Sequence, residues 1–172
     1  MATYLFAWNP SLWNWPELAA DRKKLARRGH LDTHWNSGRV RNIDIGSRFF
    51  LVRVGVPPKG IFGAGYTLTA PQPSPHWRPE RAAAGAVMQR LILRLDTLLD
   101  LPAVTYDDLA LPPFKRFRWG VRSSGVRIPS TLAEALEQLW DARALAALSE
   151  PSVPQAKAKP APAPAPPRRR PR

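Results

Sequence analysis

Two neighbouring stretches narrow the fold more than anything else in this chain. Arg48 to Val54 reads Arg-Phe-Phe-Leu-Val-Arg-Val, and Ile61 to Ala70 follows after Gly55-Val56-Pro57-Pro58-Lys59-Gly60. Aromatic and branched residues in short runs bounded by Gly and Pro read as strands, and Pro57 and Pro58 keep the connection out of the ladder. The chain is therefore built on at least one pair of adjacent strands. Thr3 to Trp8, stopped by Asn9-Pro10, reads as a further strand. Val87 to Leu98 alternates Leu91, Leu93 and Leu95 with Arg90, Ile92 and Arg94, a period of two, although its leucines and Ala-rich approach fit a helix on pattern alone.

Helices enter at three places. Pro16 to Arg28 starts with Pro, carries Glu17 and Asp21 early and Arg27 and Arg28 late, and stops at Gly29, the charge order that a helix dipole favours. Its narrow stripe of Leu18, Ala19, Leu25 and Ala26 places it on a surface. Thr105 to Leu109 reads as one capped turn, with Asp107 and Asp108 as capping residues before any catalytic role. Thr131-Leu132-Ala133-Glu134 spells a capping box, after which Leu136, Leu139 and Trp140 recur at helical spacing. Pro71 to Pro79 holds four prolines and a serine among nine residues and is expected to be an ordered surface loop carrying Trp77.

At 172 residues the chain has room for one domain, 1–150, and an end segment, 151–172, of Ala, Pro, Lys and Arg that is expected to be extended and disordered. The net charge of +13 points toward a polyanionic partner. Six of the cations, Lys157, Lys159, Arg168, Arg169, Arg170 and Arg172, stand in the end segment without an acid. That segment serves equally well as a nonspecific phosphate attractor or as a solubilising linker. Cysteine is absent, which excludes disulfides, thiolate metal sites and thiol nucleophiles and suits a reducing cytoplasm. The chain opens on Met1-Ala2-Thr3 and a strand, and no apolar run approaches membrane-spanning length, so neither secretion nor membrane insertion is expected.

The residues fit for chemistry are aromatic, amide and basic. Trp35-Asn36-Ser37-Gly38 joins a face that can stack on a base to a small polar turn where backbone approaches closely. Trp35 would also serve as a plug for one end of a barrel. Trp8, at a strand end beside Asn9, and Trp77, in the Pro-rich loop, are candidates for an aromatic cage. Trp13 and Trp15 are expected to pack around the start of the first helix and Trp140 in the core, while Trp77 and Trp119 fit core or site equally. Ser124 and Gly125 offer backbone donors, or form a tight turn between core elements. Arg39, Arg41, Arg48, Arg118, Arg122 and Arg127 flank these segments as a phosphate-contacting rim would. His30 and His34, four apart, with Asp32 and His76, are the only metal-like grouping, and Gly29 has already ended the helix that would align them. Neither a phosphate-binding Gly-Lys-Ser/Thr loop nor a nucleophile elbow is present, and no catalytic residue or cofactor is expected.

Trp35-Asn36-Ser37-Gly38 with Arg41-Asn42, the turn before Phe49-Phe50-Leu51, Lys59-Gly60-Ile61-Phe62-Gly63 and Pro75-His76-Trp77 together resemble the EVE domain of the PUA-like superfamily. Tyr4 to Pro10, Trp13-Asn14-Trp15 and Ser123 to Pro129 are similar to EVE modules at the front of modification-dependent restriction proteins, over roughly residues 3 to 148. The resemblance implies an α+β fold, a strongly bent sheet or open barrel with short flanking helices, and it favours the strand reading of Val87 to Leu98. It implies a noncatalytic reader of modified double-stranded DNA that extrudes a methylated or hydroxymethylated cytosine into an aromatic pocket, in a restriction or defence setting. Trp8, Asn9, Trp35, Asn36, Ser37, Gly38, Trp77, Ser124 and Gly125 would form that pocket, and a separate nuclease or effector chain would supply any cleavage. Recognition of modified RNA, and a small metal-dependent hydrolase or nuclease, are the alternatives, along with an adaptor acting through the Pro-rich end.

Overall fold

The computed structural model describes residues 1–149. The expected disordered segment, 151–172, lies outside the described residues. Chain order is β1 (Thr3–Trp8), α1 (Leu18–Arg28), β2 (Leu31–Asn36), β3 (Arg48–Arg53), β4 (Gly60–Thr67), β5 (Gln72–Pro75), α2 (Pro79–Ala83), β6 (Val87–Leu98), β7 (Val104–Thr105), α3 (Tyr106–Leu109), β8 (Val126–Ile128) and α4 (Ser130–Ser149), with a 3-10 turn at Phe114–Arg116. The strands form one mixed sheet in the order β2-β6-β4-β3-β1-β8, with β5 added to β6 and β7 to β4. Only β1 and β3 run parallel, Thr3 facing Arg48 and Trp8 facing Arg53; the remaining pairs are antiparallel. The architecture is α+β.

The unbroken apolar run of β3 follows from its place in this sheet. Phe49, Phe50, Leu51 and Val52 are all fully buried, because both sheet faces are covered. Phe49 and Leu51 join Tyr4, Phe6, Phe62, Leu91, Leu93 and Leu95 in an inner core. Phe50 and Val52 join Leu5, Ile61, Leu136 and Trp140 in an outer core beneath α4. Trp140 meets Phe50 edge-on at 5.9 Å, an arrangement that adds about 1 kcal/mol to the burial of both rings. β6 is a strand, the reading that the resemblance favoured where the pattern alone fitted a helix as well: Leu91, Leu93 and Leu95 point into the inner core.

Sheet order leaves β2 and β8 at opposite ends, and the bend of the sheet brings their adjoining loops together. Gly38 (φ 67°) and Gly125 (φ 82°) sit at this seam. A Cβ on Gly38 would stand 2.9 Å from the Ser124 carbonyl oxygen, and one on Gly125 would stand 2.7 Å from that of Ser37. Both therefore need the left-handed conformation and the missing side chain.

The structure corrects several boundaries. Gln72–Pro75 is a strand, paired with β6 through Pro73 opposite Gln89, where a loop is expected from its prolines. An outer strand needs donors along one side only, so missing N–H groups on the other do not break it. α1 starts at Leu18, two residues after Pro16, because Trp15 has a φ of 43° and its carbonyl accepts the Leu18 N–H. Gly29 ends α1 in the left-handed region. The box expected at Thr131 lies one residue inside α4, which begins at Ser130, whereas Thr105 and Asp108 do form a reciprocal capping box on α3. No helix among the described residues is long and apolar enough to cross a membrane.

Candidate functional site

The end of the sheet at Trp8 opens into a cleft of about 830 Å3. β1 runs out there into the Asn9–Trp13 turn, β2 ends at Asn36, and the β3–β4 loop contributes Gly55 and Lys59. Trp77 arrives from the β5–α2 connection, Met88 and Arg90 from β6, and Gly120 to Ser124 from the loop before β8. Four tryptophans, Trp8, Trp13, Trp35 and Trp77, share its walls with three cations, Lys59, Arg90 and Arg122. Among the described residues no Asp or Glu lines it. An aromatic cleft whose charged walls are positive favours a planar, anionic ligand.

Of the residues expected to form a pocket, Trp8, Asn9, Trp35, Asn36, Trp77 and Ser124 do line this cleft. Their roles are not equal. Trp35 keeps 7% of its surface and is wedged between Trp13 (6.0 Å, 71°) and Trp15 (5.3 Å, 58°), so it is mainly a wall. Trp8 is likewise buried, its indole N–H donating to the Trp13 carbonyl at 2.8 Å and its ring lying 5.4 Å from the Arg53 guanidinium. The aromatic surface left free belongs to Trp77, 48% exposed, and Trp13, 41% exposed. Asn36 accepts the Gly38 N–H through its side-chain oxygen at 2.7 Å, which leaves its amide nitrogen as a free donor. The Ser124 hydroxyl accepts from the Ala7 N–H at 3.0 Å and so ties the loop before β8 to β1.

Three expected pocket residues serve the seam instead. Ser37 is fully buried, with its hydroxyl donating to the Val40 carbonyl at 2.9 Å and its N–H to that of Gln89 at 3.0 Å. Gly38 and Gly125 are packed against backbone across the seam and do not line the cleft.

The arginine rim is also redistributed. Arg122 lines the cleft and, with Arg118, a second hollow of about 320 Å3 that shares the Val121–Ser123 wall. Arg39, Arg41 and Arg127 are exposed but line neither. Arg48 is not a rim residue. It lies at the opposite end of β3 from Arg53, roughly 17 Å away along an extended strand. Its guanidinium donates to Asp96 and to Glu137 at 2.6 Å each and lies over the rings of Phe50 and Tyr66. Burial alone would lower its pKa, but the two carboxylates outweigh that and hold it above its ordinary value. This arginine locks β3, β6 and α4 together.

The sequence reading passed over Leu12, Arg90 and Tyr106, weighed His34 only as a metal ligand and Lys59 only as part of the resemblance, and assigned Trp13 to helix packing alone. Trp13 does stack on Trp15 at 5.3 Å and 18°, so that reading is half right. Tyr106 is the least expected. Its hydroxyl is buried without a hydrogen-bond partner among the described residues, and burial pushes the phenol above its ordinary pKa. Trp119 belongs to the core, donating to the Phe114 carbonyl at 3.1 Å. Asp32 is held by Arg94 through two bonds of 2.8 Å, and that hydrogen bonding lowers its carboxyl below the ordinary range. Among the described residues no three His, Asp or Glu side chains are placed to share a metal ion.

No family model matches this sequence, and no curated protein matches it. Solved structures do share its fold. A hypothetical protein from Leishmania major superposes with a TM-score of 0.55 at 10% identity, over 83% of this chain and 96% of that one. A protein from Pseudomonas syringae gives 0.55 at 18% identity, over 80% and 99%. One from Agrobacterium tumefaciens gives 0.54 at 17%, over 81% and 91%. At these identities the chain is similar to them in fold alone.

Proposed function

We propose that this chain is a PUA-like, EVE-type module that reads a modified base in nucleic acid without performing catalysis. The observation that carries the reading is the cleft at Trp8, where free ring surface on Trp13 and Trp77 stands among Lys59, Arg90 and Arg122 with no acidic side chain. Such a site suits a base extruded from a duplex, held by stacking, with its flanking phosphates drawn to the cations. Extrusion costs a few kcal/mol, and stacking supplies about 1–3 kcal/mol per base, so phosphate contacts must contribute the balance. The substrate proposed is double-stranded DNA carrying a methylated or hydroxymethylated cytosine. Any cleavage that follows belongs to a separate effector chain.

The test is a fluorescence-anisotropy titration with matched duplexes differing at one cytosine, unmodified, methylated or hydroxymethylated, at near-physiological salt. Tighter binding to a modified duplex, lost in Trp77→Ala, is the expected result. Trp77 is half-exposed, so its loss does not open the core, which makes it a better probe than buried Trp35. Equal binding to all three duplexes, weakening together with salt, would overturn the reading. Preference for a matched modified RNA would move the same cleft to RNA.

A further inference from the structure

Twelve large apolar side chains stand exposed among the described residues, and three of them also line the cleft: Leu12, Trp13 and Trp77. Scattered exposed leucines are ordinary on protein surfaces. Leu12 combines 59% exposure at the cleft rim with a turn that is hydrogen-bonded through three successive N–H groups. The Asn9 carbonyl accepts the N–H groups of Leu12 at 3.0 Å and Trp13 at 3.1 Å, and its side-chain oxygen accepts that of Ser11 at 3.0 Å. Behind the turn, Trp8 donates to the Trp13 carbonyl, and the Asn9 amide fills the space where a side chain on Gly55 would stand. These bonds and this packing fix the backbone that presents Leu12 without any ligand contact.

That matters because insertion into a partner normally costs the ordering of the inserted segment. Here the segment is already fixed and its aliphatic tip is in water. Trp13 and Trp77 are placed differently. One face of Trp13 is stacked on Trp15, and Trp77 is stacked on the His76 ring at 5.8 Å and 23°, with the Arg78 guanidinium 4.8 Å from its centroid. Both are flat platforms for a base. Leu12 is a compact branched tip beside them.

We infer that Leu12 is an apolar wedge that enters the base stack of a duplex at the gap vacated by the extruded base. The inference rests on the base-extrusion reading above and deepens it, since it makes the preferred partner double-stranded. Extrusion leaves two base-pair faces separated by a void that water fills poorly, and an aliphatic side chain inserted there recovers stacking contact. Lys59, Arg90 and Arg122, lining the same cleft, provide the phosphate attraction that holds the duplex while the tip enters.

The experiment compares the full chain with Leu12→Ala and Leu12→Met on two probes: whichever methylated or hydroxymethylated duplex it prefers, and the same modified strand alone. The same modified duplex with 2-aminopurine next to the modified cytosine reports its extrusion by the rise in emission as the neighbouring stack is lost. Leu12→Ala is expected to weaken duplex binding about tenfold and to suppress the emission rise, while single-strand binding stays within about twofold. Leu12→Met is expected to restore most of the duplex affinity. Equal loss on duplex and single strand would reduce Leu12 to a cleft wall and overturn the inference, as would unchanged duplex binding in Leu12→Ala. If the wild-type chain prefers a modified duplex and Leu12→Ala changes nothing, base reading stands and the wedge falls. Absence of any preference in the wild type would remove both.

Discussion

Replacing Gly125 by alanine separates the two roles that this glycine was open to, ligand contact and closure of the sheet. The structure assigns closure: its φ of 82° is left-handed, and an added Cβ would stand 2.7 Å from the Ser37 carbonyl oxygen and 3.1 Å from Val40 Cγ2. Gly29 is the internal control. Its φ of 74° is nearly the same, but nothing lies within 4 Å of a Cβ there. Gly29→Ala should therefore cost only the left-handed backbone, about 1–2 kcal/mol. Gly125→Ala carries that cost as well as the displacement of the Ser37 carbonyl and the Val40 side chain across the seam, a further 1–3 kcal/mol or so by analogy with overpacked cores. With a urea slope of about 2 kcal/mol per molar, the Gly125 variant should unfold roughly 0.5–1.5 M below the Gly29 variant. Equilibrium urea unfolding, followed by tryptophan fluorescence with matching slopes, is the assay. Equal midpoints for the two variants would refute the seam. A Gly125 variant as stable as the wild type, yet defective in ligand binding, would return the residue to the site.

Three further outcomes follow from the same geometry. Arg118→Gln together with Arg122→Gln should flatten the dependence of log affinity on log salt by close to two phosphate contacts, whereas Arg48→Gln should leave the slope unchanged and lower folding stability by about 1–3 kcal/mol; salt-dependent anisotropy and urea unfolding read the two effects. Tyr106→Phe removes a buried hydroxyl with no partner, so stability should hold or rise by up to about 1 kcal/mol. The Tyr106 phenol is raised by burial above its ordinary 10.0, so the folded state keeps a proton that the unfolded chain releases. Its contribution is full below pH 10 and is lost as pH climbs through the folded value; stability curves at pH 9 and above should decline less in Tyr106→Phe. Burial would raise the Asp108 carboxyl, but its bonds with the Thr105 N–H and hydroxyl, helped by Arg143, hold it below 3.8. Its contribution is present above pH 3.8 and lost as pH falls through the folded value, and Asp108→Asn should cost about 1 kcal/mol at pH 7 while flattening that acid limb in thermal melts.

Where local order decides, reading from the residues succeeds. The run Val87 to Leu98 has the bounds of β6, although its pattern alone fitted a helix as well and the resemblance chose strand, and Thr105 with Asp108 caps α3, because the limits of a run and a capping box depend on residues a few positions apart. Reading fails where the partner is distant. The prolines of Gln72–Pro75 argue against a strand until β6 is known to lie beside it on one side only. Arg48 is indistinguishable from Arg122 in sequence, but the parallel pairing of β1 and β3 sets Arg48 at the Thr3 end beside Glu137, while the antiparallel pairing of β1 and β8 sends the loop with Arg122 toward Trp8 and the cleft. Trp13 looks like packing for the first helix, and only the fold sets its second face at the cleft rim.

From sequence alone come the α+β composition, most strand and helix positions, the excess of positive charge, and a set of tryptophans and amides singled out as a candidate pocket. These are properties of single residues and short windows, written in periodicity, capping and charge. Tertiary structure alone decided which of those residues meet. Burial and register depend on contacts across dozens of positions, so Trp35 became a wall, Gly38 and Gly125 a seam and Arg48 a clamp. The same contacts left Trp13, Trp77 and Leu12 standing at the mouth of the cleft.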